Sequence, residues 1–147
     1  MRIGIVGSEA AKFTPKTEAQ ARAIIEKLIY ECSAFDGEIP VVVSGECHLG
    51  GIDIFAKEIA LSLNVGYIGH PPIVHTWEGG YKQRNLKIAQ DSDRVVCITI
   101  KQLPESYTGM AFKWCYHCKS DQHVKSGGCW TVKQAKLLGK PGEVIVI

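Results

Sequence analysis

The chain has 147 residues, enough for one domain with a buried core. Hydrophobic residues make up 46% and charged residues 22%, and the formal net charge is only +2. No run of five Lys/Arg residues marks a polyanion-binding tail, and no stretch approaches the roughly 20 apolar residues of a membrane span. The start, "MRIGIVGSEAAK", lacks the apolar segment and cleavage site of a signal peptide. A cytoplasmic location away from membranes is therefore expected. Thiols stay reduced there, so the six cysteines are core residues, reactive groups or metal ligands.

In chain order, Arg2–Val6 reads as a strand ending at Gly7-Ser8. Thr14-Pro15 then starts a helix, with Thr as N-cap and Pro in the first turn. Ala21, Ile24, Ile25, Leu28 and Cys32 recur at helical spacing along it. "DGEIP" breaks the chain before a second strand, Val41–Val43. Ile52, Phe55, Ala56, Ile59, Ala60 and Leu63 form a clear helical stripe, and "VGYIG" is a short third strand. "HPPIVHTWEGG" reads as a loop. A helix from about Tyr81 to Gln90 follows, then the strand Arg94–Ile100. Residues 102–125 have no period. "SGGCWTVKQAKLLGK" holds the last helix, and Glu143–Ile147 the last strand.

Five apolar strands alternating with helices predict an α/β fold. It is a single Rossmann-like domain over residues 1–147, with a mostly parallel sheet of about five strands flanked by helices on both faces. Residues 102–125 are a Cys/His-rich insertion in it. Ligands of such sheets bind beyond the carboxyl ends of the strands, so the loops after Val6, Val43 and Ile100 share one rim.

Two glycine pairs, in "HLGGID" and "KSGGCWT", stand at helix starts. There, unpaired amides and the helix dipole favour an anion, and glycine lets it approach the backbone. The same glycines equally suit tight strand–helix turns. Neither loop is a P-loop, and no GxGxxG occurs, which argues against a nucleoside triphosphatase or an ordinary dinucleotide dehydrogenase. Asp53 sits in a first helical turn, where the dipole favours a carboxylate with or without a ligand. Arg84 and Asn85 open another helix. If that start reaches the rim, the guanidinium can grip a phosphate.

Taken together, "VVVSGECHLGGIDIFAKEIAL", "RNLKIAQDSDRVVCI", "SGGCWTVKQAKLLGKP" and "VGSE" resemble, in order and spacing, the SLOG superfamily of Rossmann-like proteins. That superfamily includes the DNA-processing protein A family and the LOG-type nucleotide phosphoribohydrolases. The resemblance implies a nucleotide or nucleotide-derived ligand near Gly7, Ser8, Ser44, Gly45, Gly50, Gly51, Gly127, Gly128 and Thr131; Asp53, Arg84, Asn85 and Ser126, beside these motifs, complete the expected ligand-binding set. The LOG-type catalytic Glu position holds Gln134, which cannot act as a carboxylate. The ligand is therefore sensed, or else hydrolysed with Arg84 and Glu46 as the catalytic pair. The alternatives are a single-stranded nucleic-acid module, with Trp77, Tyr81, Trp114, Tyr116 and Trp130 as stacking platforms, and a non-catalytic scaffold. A homo-oligomer is expected.

One further pattern lies outside this resemblance: Cys115, Cys118, His123 and Cys129, spaced C-x2-C-x4-H-x5-C. Three soft thiolates and an imidazole suit structural Zn²⁺, which would order a segment poor in apolar residues. His117 is an alternative fourth ligand, and a composite site with Cys47 or His48 is a further variant. A redox dithiol or cysteines without a special role are the competing readings. Cys32 and Cys97 read as core, and His70 and His75 as surface residues.

Overall fold

The computed structural model describes residues 1–112 and 114–147. Among the described residues, five strands form one all-parallel sheet: β1 (Arg2–Gly7), β2 (Val41–Ser44), β3 (Gly66–Gly69), β4 (Arg94–Thr99) and β5 (Gly142–Val146). Their spatial order is β3-β2-β1-β4-β5. Among the described residues, four α-helices connect them: α1 (Pro15–Asp36), α2 (Ile52–Ser62), α3 (Lys82–Asp91) and α4 (Gly127–Leu137).

Residue alternation along the strands divides the core in two, because successive side chains point to opposite faces. Ile3, Ile5, Val42, Val96 and Ile98 pack against α1 and α2. Val6, Val43, Val95 and Cys97 pack against α3 and α4. Apolar residues on both faces of β1 and β4 explain why these strands read as continuous runs.

Local chemistry sets the helix starts. The Thr14 hydroxyl accepts from the Thr17 amide, the Thr17 hydroxyl accepts from the Thr14 amide, and Pro15 opens α1. Ser126 caps α4 by accepting from the Gly128 amide at 3.1 Å. The expected loop before α3 differs: Trp77–Tyr81 is a π-helical turn. The Thr76 carbonyl accepts from both the Gly80 and Tyr81 amides, and the Thr76 hydroxyl accepts from Gly79. Capping by a threonine, with two small residues behind it, winds a Gly-rich stretch that composition alone reads as loop.

Between β4 and α4 the described residues form no helix or strand. Lys113 of the expected 102–125 insertion lies outside the described residues. Cys115 and Ser120 exchange backbone hydrogen bonds at 2.8 and 3.2 Å in an isolated antiparallel bridge. Val124 is tied to the end of the sheet by its amide, which donates to the Ile100 carbonyl. No described helix is long and apolar enough to cross a membrane.

Candidate functional site

The sheet reverses its winding between β1 and β4: the chain proceeds outward from β1 to β2 and β3, and from β4 to β5. Loops leaving the carboxyl ends of β1 and β4 therefore diverge and open a crevice. A cavity of about 310 Å³ occupies it. One wall is Gly7, Ser8 and Glu9 with Lys12 behind them, and a second is Lys125 through Gly128 at the start of α4. Cys47, Gly50 and Asp53 come from the β2–α2 connection. Trp77, Tyr81, Arg84 and Asn85 come from the π turn and α3.

Two glycines allow these walls to meet. A Cβ on Gly128 would lie 2.8 Å from Cys97 Sγ and 3.1 Å from the Gly7 nitrogen, so α4 can close on β1 only without a side chain there. A Cβ on Gly45 would fall on the Arg84 guanidinium.

Arg84 and Asp53 form the polar centre. Arg84 Nη1 donates to Asp53 Oδ2 at 2.6 Å, and the two side chains are 8% and 6% exposed. Burial pushes the Asp53 carboxyl above its usual range, opposed by the Arg84 guanidinium and the Cys47 amide. Arg84 Nε is buried and has no hydrogen-bond partner among the described residues. A cation this buried with a spare donor is costly unless something else completes its shell.

Two lysines add charge at the same cavity. Burial lowers the Lys12 pKa below that of a free lysine; Glu9, 3.8 Å away, opposes the shift and Lys125 adds to it. The Lys125 ammonium lies over the rings of Phe112 and Tyr116, at 4.5 and 4.8 Å from their centroids. Burial raises the Cys47 thiol, so it faces the cavity as a neutral thiol at pH 7.

Of the residues expected to meet a ligand, Gly7, Ser8, Gly50, Asp53, Arg84, Asn85, Ser126, Gly127 and Gly128 line this cavity. Ser44 and Thr131 are fully buried beneath it; the Ser44 hydroxyl donates to the Ile5 carbonyl, and Thr131 Oγ1 has no partner among the described residues. Gly51 packs against Ser8, whose carbonyl accepts the Ile52 amide at 3.1 Å, so one α2 amide is already used. Glu46 does not line the cavity. Its carboxylate takes Lys57 Nζ at 2.6 Å and lies against Gly69. His48 stacks on His75, with ring centroids 3.7 Å apart, and its Nδ1 meets the Tyr81 hydroxyl at 3.1 Å.

The cavity also draws in Glu9, Lys12, Cys47, Trp77, Tyr81 and Lys125. Cys47 and the two aromatics are visible in the sequence as loop or stacking residues. Glu9, Lys12 and Lys125 sit in unremarkable polar stretches, and no local pattern singles them out.

Cys115, Cys118, His123 and Cys129 converge: their ligand atoms all lie within 4.8 Å of one another. Tetrahedral ligands about 2.3 Å from a zinc ion stand about 3.8 Å apart, so a small contraction closes this set on a metal. Cys115, His123 and Cys129 are buried and Cys118 is exposed, leaving one open side. His123 Nδ1 lies 2.9 Å from the Val124 carbonyl, which selects the tautomer that donates there and leaves Nε2 for a metal. Burial, with Cys129 and Cys115 adjacent, pushes the Cys118 thiol up to about 12. Without a cation the Cys118 thiol stays protonated; a divalent ion reverses that by binding the thiolate. These four residues could therefore hold a metal ion. His117 is not among them: it packs against Tyr116 and Trp77, with ring centroids at 4.4 and 6.2 Å. Cys47 and His48 are not among them either.

Compared with protein-family models, with curated proteins and with solved structures, the chain matches none. What stands is the architecture: an all-parallel α/β sheet compatible with a Rossmann-like fold.

Proposed function

We propose that the cavity between β1 and β4 binds a mononucleotide or a nucleotide-derived anion. The observation that carries this reading is the make-up of the cavity wall. Lys12, Lys125 and the half-satisfied Arg84 surround the glycine-rich start of α4, with Trp77 and Tyr81 beside them. Cations and helix-start amides suit a phosphate. Flat aromatic faces suit a base. The volume of about 310 Å³ matches one small ligand rather than a strand. The resemblance of the loop motifs to the SLOG superfamily points to the same ligand class.

Binding or sensing is favoured over hydrolysis. Both carboxylates on the cavity are engaged, Asp53 by Arg84 and Glu9 by Lys12 and the Tyr107 hydroxyl. Neither is free to activate water. Zn²⁺ is the ion that best suits the Cys3His set.

Titration with a fluorescent ADP analogue (mant-ADP), unlabelled mononucleotides and a single-stranded oligonucleotide tests the reading. Saturable 1:1 binding of mant-ADP, displaced by unlabelled mononucleotide, is expected. Binding only of the oligonucleotide, with an affinity that falls steeply with salt, would replace this reading with a nucleic-acid one.

A further inference from the structure

The ligand cavity and the cluster of metal-ligating side chains share one stretch of chain. Lys125, Ser126, Gly127 and Gly128 form one wall of the cavity. All four lie in the five-residue span between His123 and Cys129, two of the four clustered metal-ligating side chains. Cys129 is itself in the first turn of α4, the helix whose start faces the cavity. Closing a metal on His123 and Cys129 therefore fixes both ends of that wall.

A second connection reaches the opposite wall. The Val124 carbonyl, which meets His123 Nδ1, also accepts the Thr99 hydroxyl at 3.0 Å. Thr99 Oγ1 in turn meets Ser8 Oγ at 3.0 Å, and both side chains are buried. Ser8 lines the cavity. A metal ligand is thus joined to the β1 loop through one carbonyl and two hydroxyls.

We propose that Cys115, Cys118, His123 and Cys129 bind Zn²⁺ as a site that builds the ligand cavity, so that metal and anionic ligand bind cooperatively. Coordination orders a segment whose described residues form no helix or strand before α4, and coordination energy becomes folding energy. The ligand meets a wall already in place and avoids the entropy of ordering it. By linkage, the ligand must hold the metal more tightly by the same factor. The ligand half of this proposal rests on the nucleotide reading above; the metal half does not.

Four measurements on the full chain test it. Elemental analysis of the purified protein should give one zinc per chain, falling sharply in Cys118→Ser; no zinc in protein prepared with zinc supplied overturns the proposal. Hydrogen–deuterium exchange of zinc-loaded and chelated protein should show lost protection at residues 124–131 and also at 7–9 once zinc is removed. Loss confined to 114–122 overturns the proposal, whether or not any nucleotide binds. Mant-ADP should bind the chelated protein at least about tenfold more weakly, within the usual range of coupling between sites. Mant-ADP should also raise the affinity for zinc by the same factor, read by equilibrium competition with a chromophoric chelator. Equal affinity in both forms overturns the proposal. Zinc-dependent protection at 7–9 without mant-ADP binding to the loaded protein upholds the metal-built wall and refutes the nucleotide reading alone. Chelation of the wild-type chain supplies the comparison if Cys118→Ser does not fold.

Discussion

Replacing Asp53 by Leu should expose how strongly the cavity floor depends on one buried ion pair. Arg84 Nη1 and Asp53 Oδ2 are 2.6 Å apart and nearly inaccessible. With an effective dielectric constant of about 20, unit charges at that distance attract by about 6 kcal/mol. Desolvating both ions offsets much of this, but removing one partner leaves the other buried and unpaired, at a cost of about 3–5 kcal/mol. For a domain of this size that lowers Tm by roughly 10–16 °C. Arg84 also supports Tyr81, whose ring centroid lies 5.3 Å from the guanidinium carbon, so loss of Asp53 should loosen the π turn too. The double variant Asp53→Leu/Arg84→Met removes both charges and keeps the volume filled. It should recover most of the stability, since apolar substitutes for buried pairs are often neutral or better. It should nonetheless lose affinity for mant-ADP, because the cavity cation is gone. Urea denaturation followed by circular dichroism, with parallel binding titrations, measures both effects. A cost below about 1 kcal/mol for Asp53→Leu would mean that the pair is solvated in solution, as surface pairs are. The account of Arg84 as a costly, half-satisfied cation would then fail.

The two glycines at the start of α4 should respond differently. A Cβ on Gly127 meets only Asn85 Nδ2 and Trp77 Cζ3, both at 3.8 Å, so Gly127→Asp should fold with near wild-type stability while its carboxylate repels an anion from the cavity. Gly128→Ala, pressed on Cys97 and Gly7, should cost about 1–3 kcal/mol by overpacking. Thermal melts and mant-ADP titrations separate the two; undiminished affinity in Gly127→Asp would sink the anion cradle. Affinity for mant-ADP should also fall as pH rises toward 10. Lys12 carries its charge below its pKa, and burial brings that pKa below the usual 10.5, so the charge is lost earlier than on a free lysine. Lys12→Met should bind more weakly at pH 7.5 and show a flatter profile; the same slope in both proteins would exclude Lys12 as the titrating group.

Periodicity and local chemistry carried a large part of the fold. The stripe Ile52–Leu63, the Thr14-Pro15 start and the β-branched runs are each short-range signals. Each records a choice made within one or two turns of chain, and the five parallel strands follow from them. The spacing of Cys115, Cys118, His123 and Cys129 is short-range too, which is why the cluster could be named from sequence and is found converged. What tertiary structure decided is which distant groups meet. The order β3-β2-β1-β4-β5 puts the crevice between β1 and β4, and no local pattern encodes that choice of neighbours. Asp53 and Arg84 lie 31 positions apart, and Ser8 and Thr99 91 positions apart. Glu46, beside a promising loop in the sequence, is drawn instead to Lys57 one helix away. Lys12 and Lys125 become one electrostatic feature only because β1 and α4 close on each other over glycine. Helices and metal-ligand spacings are written in adjacent residues, whereas a cavity is a property of how separate elements pack.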